Sequence, residues 1–213
     1  QHSSYLEKLV ILPYKFELKD ATYLGNIHAD TFDDIAMQLF NHQYHNNVIY
    51  REFANALKVQ TASVDAIDKI PFLPISFFKT HRVLTGLHNA PELMFESSGT
   101  TGDTPSRHLV ADAALYEASL LEGFNLVYGQ PSDYTILALL PSYLERGNAS
   151  LVHMARVLMR ESGHADNGFY LNEWDKLSQV LQRLEAEGRP VLLLGVTFAL
   201  LDFAAQYPMH LQH

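Results

Sequence analysis

Apolar and polar positions follow two different rhythms along this chain. Residues 30–57 read "DTFDDIAMQLFNHQYHNN" and then "VIYREFANAL". Ile35, Leu39 and Phe40 share one face there, the spacing of an amphipathic helix. Asp30 or Thr31 stands where a helix cap belongs, and Asp33 and Asp34 fall in the first turn, where exposed N–H groups favour acids. In "IPFLPISFFKT", residues 70–80, Pro71 and Pro74 forbid a continuous helix. Its aromatic side chains predict an extended segment pressed on a core.

Beyond residue 90 the rhythm changes. "LMF" and "SRHLV" read as short strands on either side of a glycine-rich loop. Then "DAALYEASLLEGFNLVYG" predicts a helix closed by Gly129, "DYTILALL" a buried strand, and "NASLVHMARVLMRES" a second helix. "EWDKLSQVLQRLEAEG" carries Trp174, Leu177, Leu181 and Leu184 on one stripe and ends in Gly188. "PVLLLGV" is expected to be another buried strand, and "TFALLDFAAQY" another helix. Uniformly apolar strands alternating with amphipathic helices predict an α/β fold: a mainly parallel, doubly wound sheet with flanking helices, preceded by an N-terminal helical segment. The expected organisation is an extension over residues 1–30, a helical lead-in over 31–90 and the α/β part over 91–213.

Composition narrows the function classes. Of 213 residues, 47% are hydrophobic and 18% charged, which suits a globular chain with a true core. A formal net charge of -9 without a Lys/Arg cluster argues against sequence-blind nucleic-acid binding. The chain has no cysteine, so it offers neither a disulfide nor a thiolate metal site. That fits a cytoplasmic location. The apolar run at residues 191–201 is too short for a membrane span, and "QHSSYLEKLV" has no signal-peptide pattern. His42 and His45 lie three apart on a helix, a spacing that could share a metal but here lacks a third ligand, so a wet helix face is the simpler reading.

"MFESSGTTGDTPSRHLV" is the stretch with chemistry. Ser97, Ser98, Gly99, Thr100, Thr101 and Gly102 are small, hydroxylated or glycine, so backbone N–H groups there can converge on an anion. Arg107 follows as a nearby cation. Two readings stand: a phosphate cradle, or a plain turn with Arg107 in a surface salt bridge. Gly102 is followed by Asp103 rather than Lys-Ser or Lys-Thr, so the loop is no Walker A, and no G-x-G-x-x-G occurs.

"SSGTTGDTPSRH" resembles the phosphate-binding signature of adenylate-forming enzymes. The ordered set "IAMQLFNHQYHNNVIYREF", "IPFLPISFFKTHRV", "FESSGTTGDTPSRHLV" and "LLPSYLERGNASLVHMARVLM" is most similar to the acyl-protein synthetase (LuxE) family. The resemblance implies ATP and Mg²⁺ as cofactors, a carboxylic acid, expected to be a long-chain fatty acid, as substrate, acyl-adenylate formation, transfer to a thiol, and an acyl reductase as partner. It further implies that Ser97 to Gly102 and Arg107 wrap the departing phosphates, with the Thr100 or Thr101 hydroxyl near Mg²⁺. Two departures stand out. Ser106-Arg107 replaces the usual Lys after the proline, and the family's later motifs, C-terminal domain and acyl-accepting cysteine have no counterpart here. The chain is therefore expected to be the N-terminal portion of a longer enzyme.

Two further patches are implied on the acyl side. Tyr143, with Ser142 and near Glu145 and Arg146, takes the place of an acyl-channel residue; its other reading is packing beside a solvated charge pair. Gly195, Val196, Thr197 and Phe198 follow a strand end, where ligands of open α/β sheets bind, although core packing is the simpler reading of Phe198. His108 either touches phosphate or simply begins a strand. The competing functions are a phenylacetate-type acyl- or aryl-CoA ligase, a non-catalytic nucleotide-binding module, and a partner-docking domain that uses "PFLPISFF".

Overall fold

The computed structural model describes residues 21–86, 90–97, 104–140 and 148–212. The chain divides into two compact units, Gln1–Pro71 and Phe72–His213.

The first unit is built on α1 (Phe32–Asn46) and α2 (Val48–Ala56). Asn47 separates them by serving both. Its N–H donates to the Gln43 carbonyl at 2.8 Å, ending α1, and its side-chain oxygen accepts the Tyr50 N–H at 3.1 Å, capping α2. Ile35, Phe40, Tyr50 and Ala54 form the buried side of the pair, with the Phe40 and Tyr50 rings edge to face at 6.2 Å. Neither expected cap of α1 acts as one. The Thr31 hydroxyl instead donates back to the Asn26 carbonyl at 2.5 Å, so it fastens the preceding turn rather than the helix.

In the second unit the proline-rich entry departs from expectation. After Pro74 the chain tightens into turns (Phe77 N–H to the Pro74 carbonyl, 3.0 Å) and a single helical turn, α3 (Phe77–Thr80). This twist throws Phe72 and Ile75 outward, 72% and 82% exposed, so the first half of the segment is not pressed on a core, while Phe77 and Phe78 stay half-buried.

β1 (Leu93–Glu96) and β2 (Arg107–Val110) pair antiparallel as a two-stranded sheet of their own, with Glu96 opposite Arg107 and Leu93 opposite Val110. Here the expectation of one mainly parallel sheet is corrected: a short connection back to a neighbouring strand makes an antiparallel hairpin, because parallel pairing needs a long crossover. Parallel pairing does hold for β3 (Thr135–Leu139), β4 (Gly168–Phe169) and β5 (Val191–Gly195), in the order β4-β3-β5. α5 (Ser150–Ser162) and α6 (Trp174–Ala186) make the crossovers, with α4 (Ala113–Tyr128) before the sheet and α7 (Thr197–Gln206) after it.

Helices cover both faces of these three strands. Leu137 and Leu139 pack with Leu177, Leu181 and Leu184 of α6 and with Ala199 and Phe203 of α7. Ile136, Ala138 and Leu140 face Phe124 of α4 and Ala155 and Leu158 of α5. Every residue of β3 is buried, which explains the apolar run from Ile136 to Leu139. β4 went unforeseen because it is two residues long in a Gly/Asn context. Asn167 substitutes for a longer strand: its side-chain oxygen accepts the Ile136 N–H at 2.7 Å, a role a strand carbonyl would otherwise fill. Gly129 closes α4 at φ 83°, a left-handed backbone that favours glycine. No helix among the described residues is long and apolar enough to cross a membrane.

Candidate active-site edge

The hairpin is the best-defined part of the candidate site. Its loop end is tied twice: the Ser97 N–H donates to the Ser106 carbonyl at 3.0 Å, and the Ser106 N–H donates to Ser97 Oγ at 2.9 Å. The Ser97 hydroxyl accepts that bond through a lone pair, and a hydroxyl can act as a donor as well. Arg107 stands beside this closure with its side chain 59% exposed, its Nε 3.7 Å from Glu96 Oε1 on the opposite strand. So the surface ion pair foreseen as one reading of Arg107 is present, but long and wet. Such pairs contribute about 0–1 kcal/mol, and the guanidinium is cheaply redirected.

Among the described residues the hairpin forms no strand pair with the three-stranded sheet, so its position rests on other contacts. Glu92 Oε2 accepts the Ala113 N–H at 2.9 Å, where α4 begins and a carboxylate suits the unsatisfied N–H groups. Asp112 caps the same helix through the Leu115 N–H at 2.9 Å. The Glu96 N–H donates to the Asn148 carbonyl at 3.0 Å, joining the end of β1 to the residues just ahead of α5. Between these ties lies a knot of rings. Phe95, buried, has the rings of Tyr116, His153 and His108 at 5.1, 5.4 and 6.4 Å. Phe78 of α3 meets His108 edge-on at 6.4 Å. His108 therefore sits in a ring cluster within β2. Burial raises the pKa of the Tyr116 phenol in this knot.

The carboxyl ends of the parallel strands converge on the same region. Leu140, just past β3, shares an apolar cluster with Leu151 in the first turn of α5 and Val196 at the start of α7. Gly195 pairs with Leu139 across β3 and β5. A side chain at Gly195 would put its Cβ 2.7 Å from Leu200 and 3.1 Å from the Leu139 carbonyl, so the close approach of strand and helix depends on glycine. Thr197 opens α7 and is exposed, and neither α5 nor α7 has a side-chain cap. Phe198 is 80% exposed, which removes its core reading. Next to α5, a groove of about 470 Å³ runs between it and α4, lined by Tyr116, Ser119, Leu120, Gly123, Ser150 and Met154 among others.

Ser97, Arg107, Gly195, Thr197 and Phe198 are thus placed at strand ends. Ser98, Gly99, Thr100, Thr101 and Gly102, and likewise Ser142, Tyr143, Glu145 and Arg146, lie outside the described residues. Sequence reasoning passed over Glu92, Glu96, Glu117 and His153. Glu96 is Arg107's partner only once the strand register is known, eleven residues apart in the chain. No periodicity marks such a pair.

Comparison with known proteins bears directly on this region. The family model for Acyl-protein synthetase, LuxE, matches residues 14–117, a span that contains the whole hairpin. A relative from Photorhabdus luminescens, the Long-chain-fatty-acid--luciferin-component ligase, is 40% identical over 107 residues, which is 47% of this chain and 90% of the relative. The chain belongs to the acyl-protein synthetase family. With that membership comes acid–thiol ligase activity, and the matched span places Glu96, Arg107 and the glycine-rich stretch inside the family's shared part. No solved structure matches the chain.

Proposed function

We propose that this acyl-protein synthetase chain supplies the phosphate-holding hairpin with which an enzyme activates a long-chain fatty acid at the expense of ATP and passes the acyl group to a thiol. The observation that carries the reading is the hairpin itself: two strands closed by reciprocal Ser97–Ser106 hydrogen bonds, with an exposed, loosely paired Arg107 at the mouth. The name of the Photorhabdus luminescens relative supports the fatty acid.

A carboxylate needs a leaving group before a thiol can displace its oxygen. Its oxygen attacks the α-phosphorus of ATP, the bond to the β-phosphate oxygen breaks, and pyrophosphate leaves with the electron pair. Negative charge gathers on that leaving group. On this reading Arg107, swung from Glu96, neutralises it and the Ser97 hydroxyl donates to it, together with the N–H groups that the sequence supplies at residues 98–102. Fixed donors of this kind contribute most when the site needs no rearrangement as charge develops. A thiolate then attacks the acyl carbon and AMP departs. No cysteine occurs in these 213 residues, so the thiol is supplied from elsewhere; an acyl reductase consumes the thioester. Mg²⁺ would arrive on the triphosphate. Among the described residues no three His, Cys, Asp or Glu side chains lie together to hold a metal.

The alkyl chain is assigned to the groove between α4 and α5. Its lining is apolar and hydroxylic without a charge, and about 470 Å³ falls within the range of small-molecule sites. ATP–pyrophosphate exchange by the intact enzyme tests the reading. Exchange that depends on a long-chain fatty acid and collapses in Arg107→Ala is expected; normal exchange in that variant removes the assignment.

A further inference from the structure

We propose that His153 is a positioning residue that holds the hairpin, and with it Ser97 and Arg107, at the angle the phosphates require; this rests on the function proposed above. His153 lies on α5 one turn from Ser150, yet its ring reaches β1, with centroids 5.4 Å from Phe95 and 5.9 Å from Tyr116 of α4. The planes are inclined at 57° and 60°, so the imidazole acts as a flat wedge between a strand and a helix. Phe95 is two residues from Ser97, and its cross-strand partner His108 adjoins Arg107. A tilt of Phe95 therefore moves both.

A second feature fixes the wedge. His153 Nε2 is buried and lies 3.2 Å from Glu117 Oε1, at ion-pair distance but outside hydrogen-bond geometry. The other oxygen of Glu117 accepts from Arg160 Nη2 at 2.9 Å, so the carboxylate is itself anchored to α5. A buried nitrogen aimed at a tethered carboxylate is costly to place by packing alone. It makes sense as a device that sets the ring plane. The hairpin, lacking among the described residues any strand pair to the main sheet, relies on such contacts.

The test is steady-state ATP–pyrophosphate exchange by the intact enzyme carrying His153→Ala, His153→Leu or His153→Phe, with Leu184→Ala as a control that weakens the core from the opposite face of the sheet. Loss of the wedge is expected to raise the KM for ATP about 10- to 100-fold in His153→Ala. The thiol-transfer step should stay within about twofold, and the fatty-acid KM, whose groove shares Tyr116 with the wedge, should rise less than the KM for ATP. His153→Leu, which keeps most of the volume and guards against misfolding, is expected to show the same selective rise at about 3- to 10-fold, and His153→Phe, which restores a flat ring, a return to within about threefold of wild type. An unaltered KM for ATP in the folded Ala or Leu variant overturns the proposal, as does an equal rise in Leu184→Ala. If wild-type enzyme itself shows no ATP-dependent exchange, the proposed function fails; exchange with unshifted KM values removes only the role of His153.

Discussion

β3 and the β1–β2 hairpin end at the same edge of the second unit but are held in opposite ways. β3 is buried along its whole length, paired on both sides and covered by helices on both faces. Among the described residues the hairpin pairs only with itself; it exposes Glu96 and Arg107, and is tied down by Glu92, the Glu96–Asn148 backbone bond and a cluster of rings. The sheet is a scaffold packed on both faces. The hairpin is a presented element, whose placement can be altered without unfolding what lies beneath. Function in this family part is therefore expected to separate from stability residue by residue.

Substitutions at the two places should dissociate these properties. The largest effect is expected from Arg107→Ala: a fall of about 10²- to 10³-fold in ATP–pyrophosphate exchange with a denaturation midpoint close to wild type, since the pair with Glu96 is exposed. Leu184→Ala gives the mirror image. Removing this fully buried side chain should cost about 2–5 kcal/mol in urea unfolding while the KM for ATP holds. Gly195→Ala lies between them, because its Cβ would stand 2.7 Å from Leu200; the side chain can yield, so about 1–3 kcal/mol is expected by the same unfolding measurement. Gly123→Phe is the mildest. A Cβ there meets nothing within 4 Å, so the ring should enter the groove and shift kcat/KM about tenfold toward shorter acids, without loss of stability.

Much of the scaffold was legible because periodicity reports burial. The Leu177, Leu181 and Leu184 stripe and the apolar text of β3 mean what they appear to mean once layers are stacked, whereas β5, read as buried from the same kind of text, is half-buried because it pairs with β3 on one side only among the described residues. Gly129 likewise marked the end of α4 through a backbone angle that only glycine adopts freely. What failed was whatever depends on partners distant in the chain. "PFLPISFF" contains the right residues for a core, but two prolines turn the backbone so that Phe72 and Ile75 leave it. β4 was too short to leave a pattern, and an asparagine side chain did the work of its missing residues. The candidate site divides in the same manner. The glycines and Arg107 were readable as chemistry, whereas Glu96, His153 and Glu117 became visible only when strand register and helix packing brought them together.

The central claim is that the hairpin's end receives the phosphates of ATP. Amide hydrogen exchange on the intact enzyme, with and without a non-hydrolysable ATP analogue, examines it most directly. The account predicts slowed exchange between residues 97 and 107 on binding, lost in Arg107→Ala. Protection confined to other segments, with residues 97–107 exchanging as in the free enzyme, would contradict it.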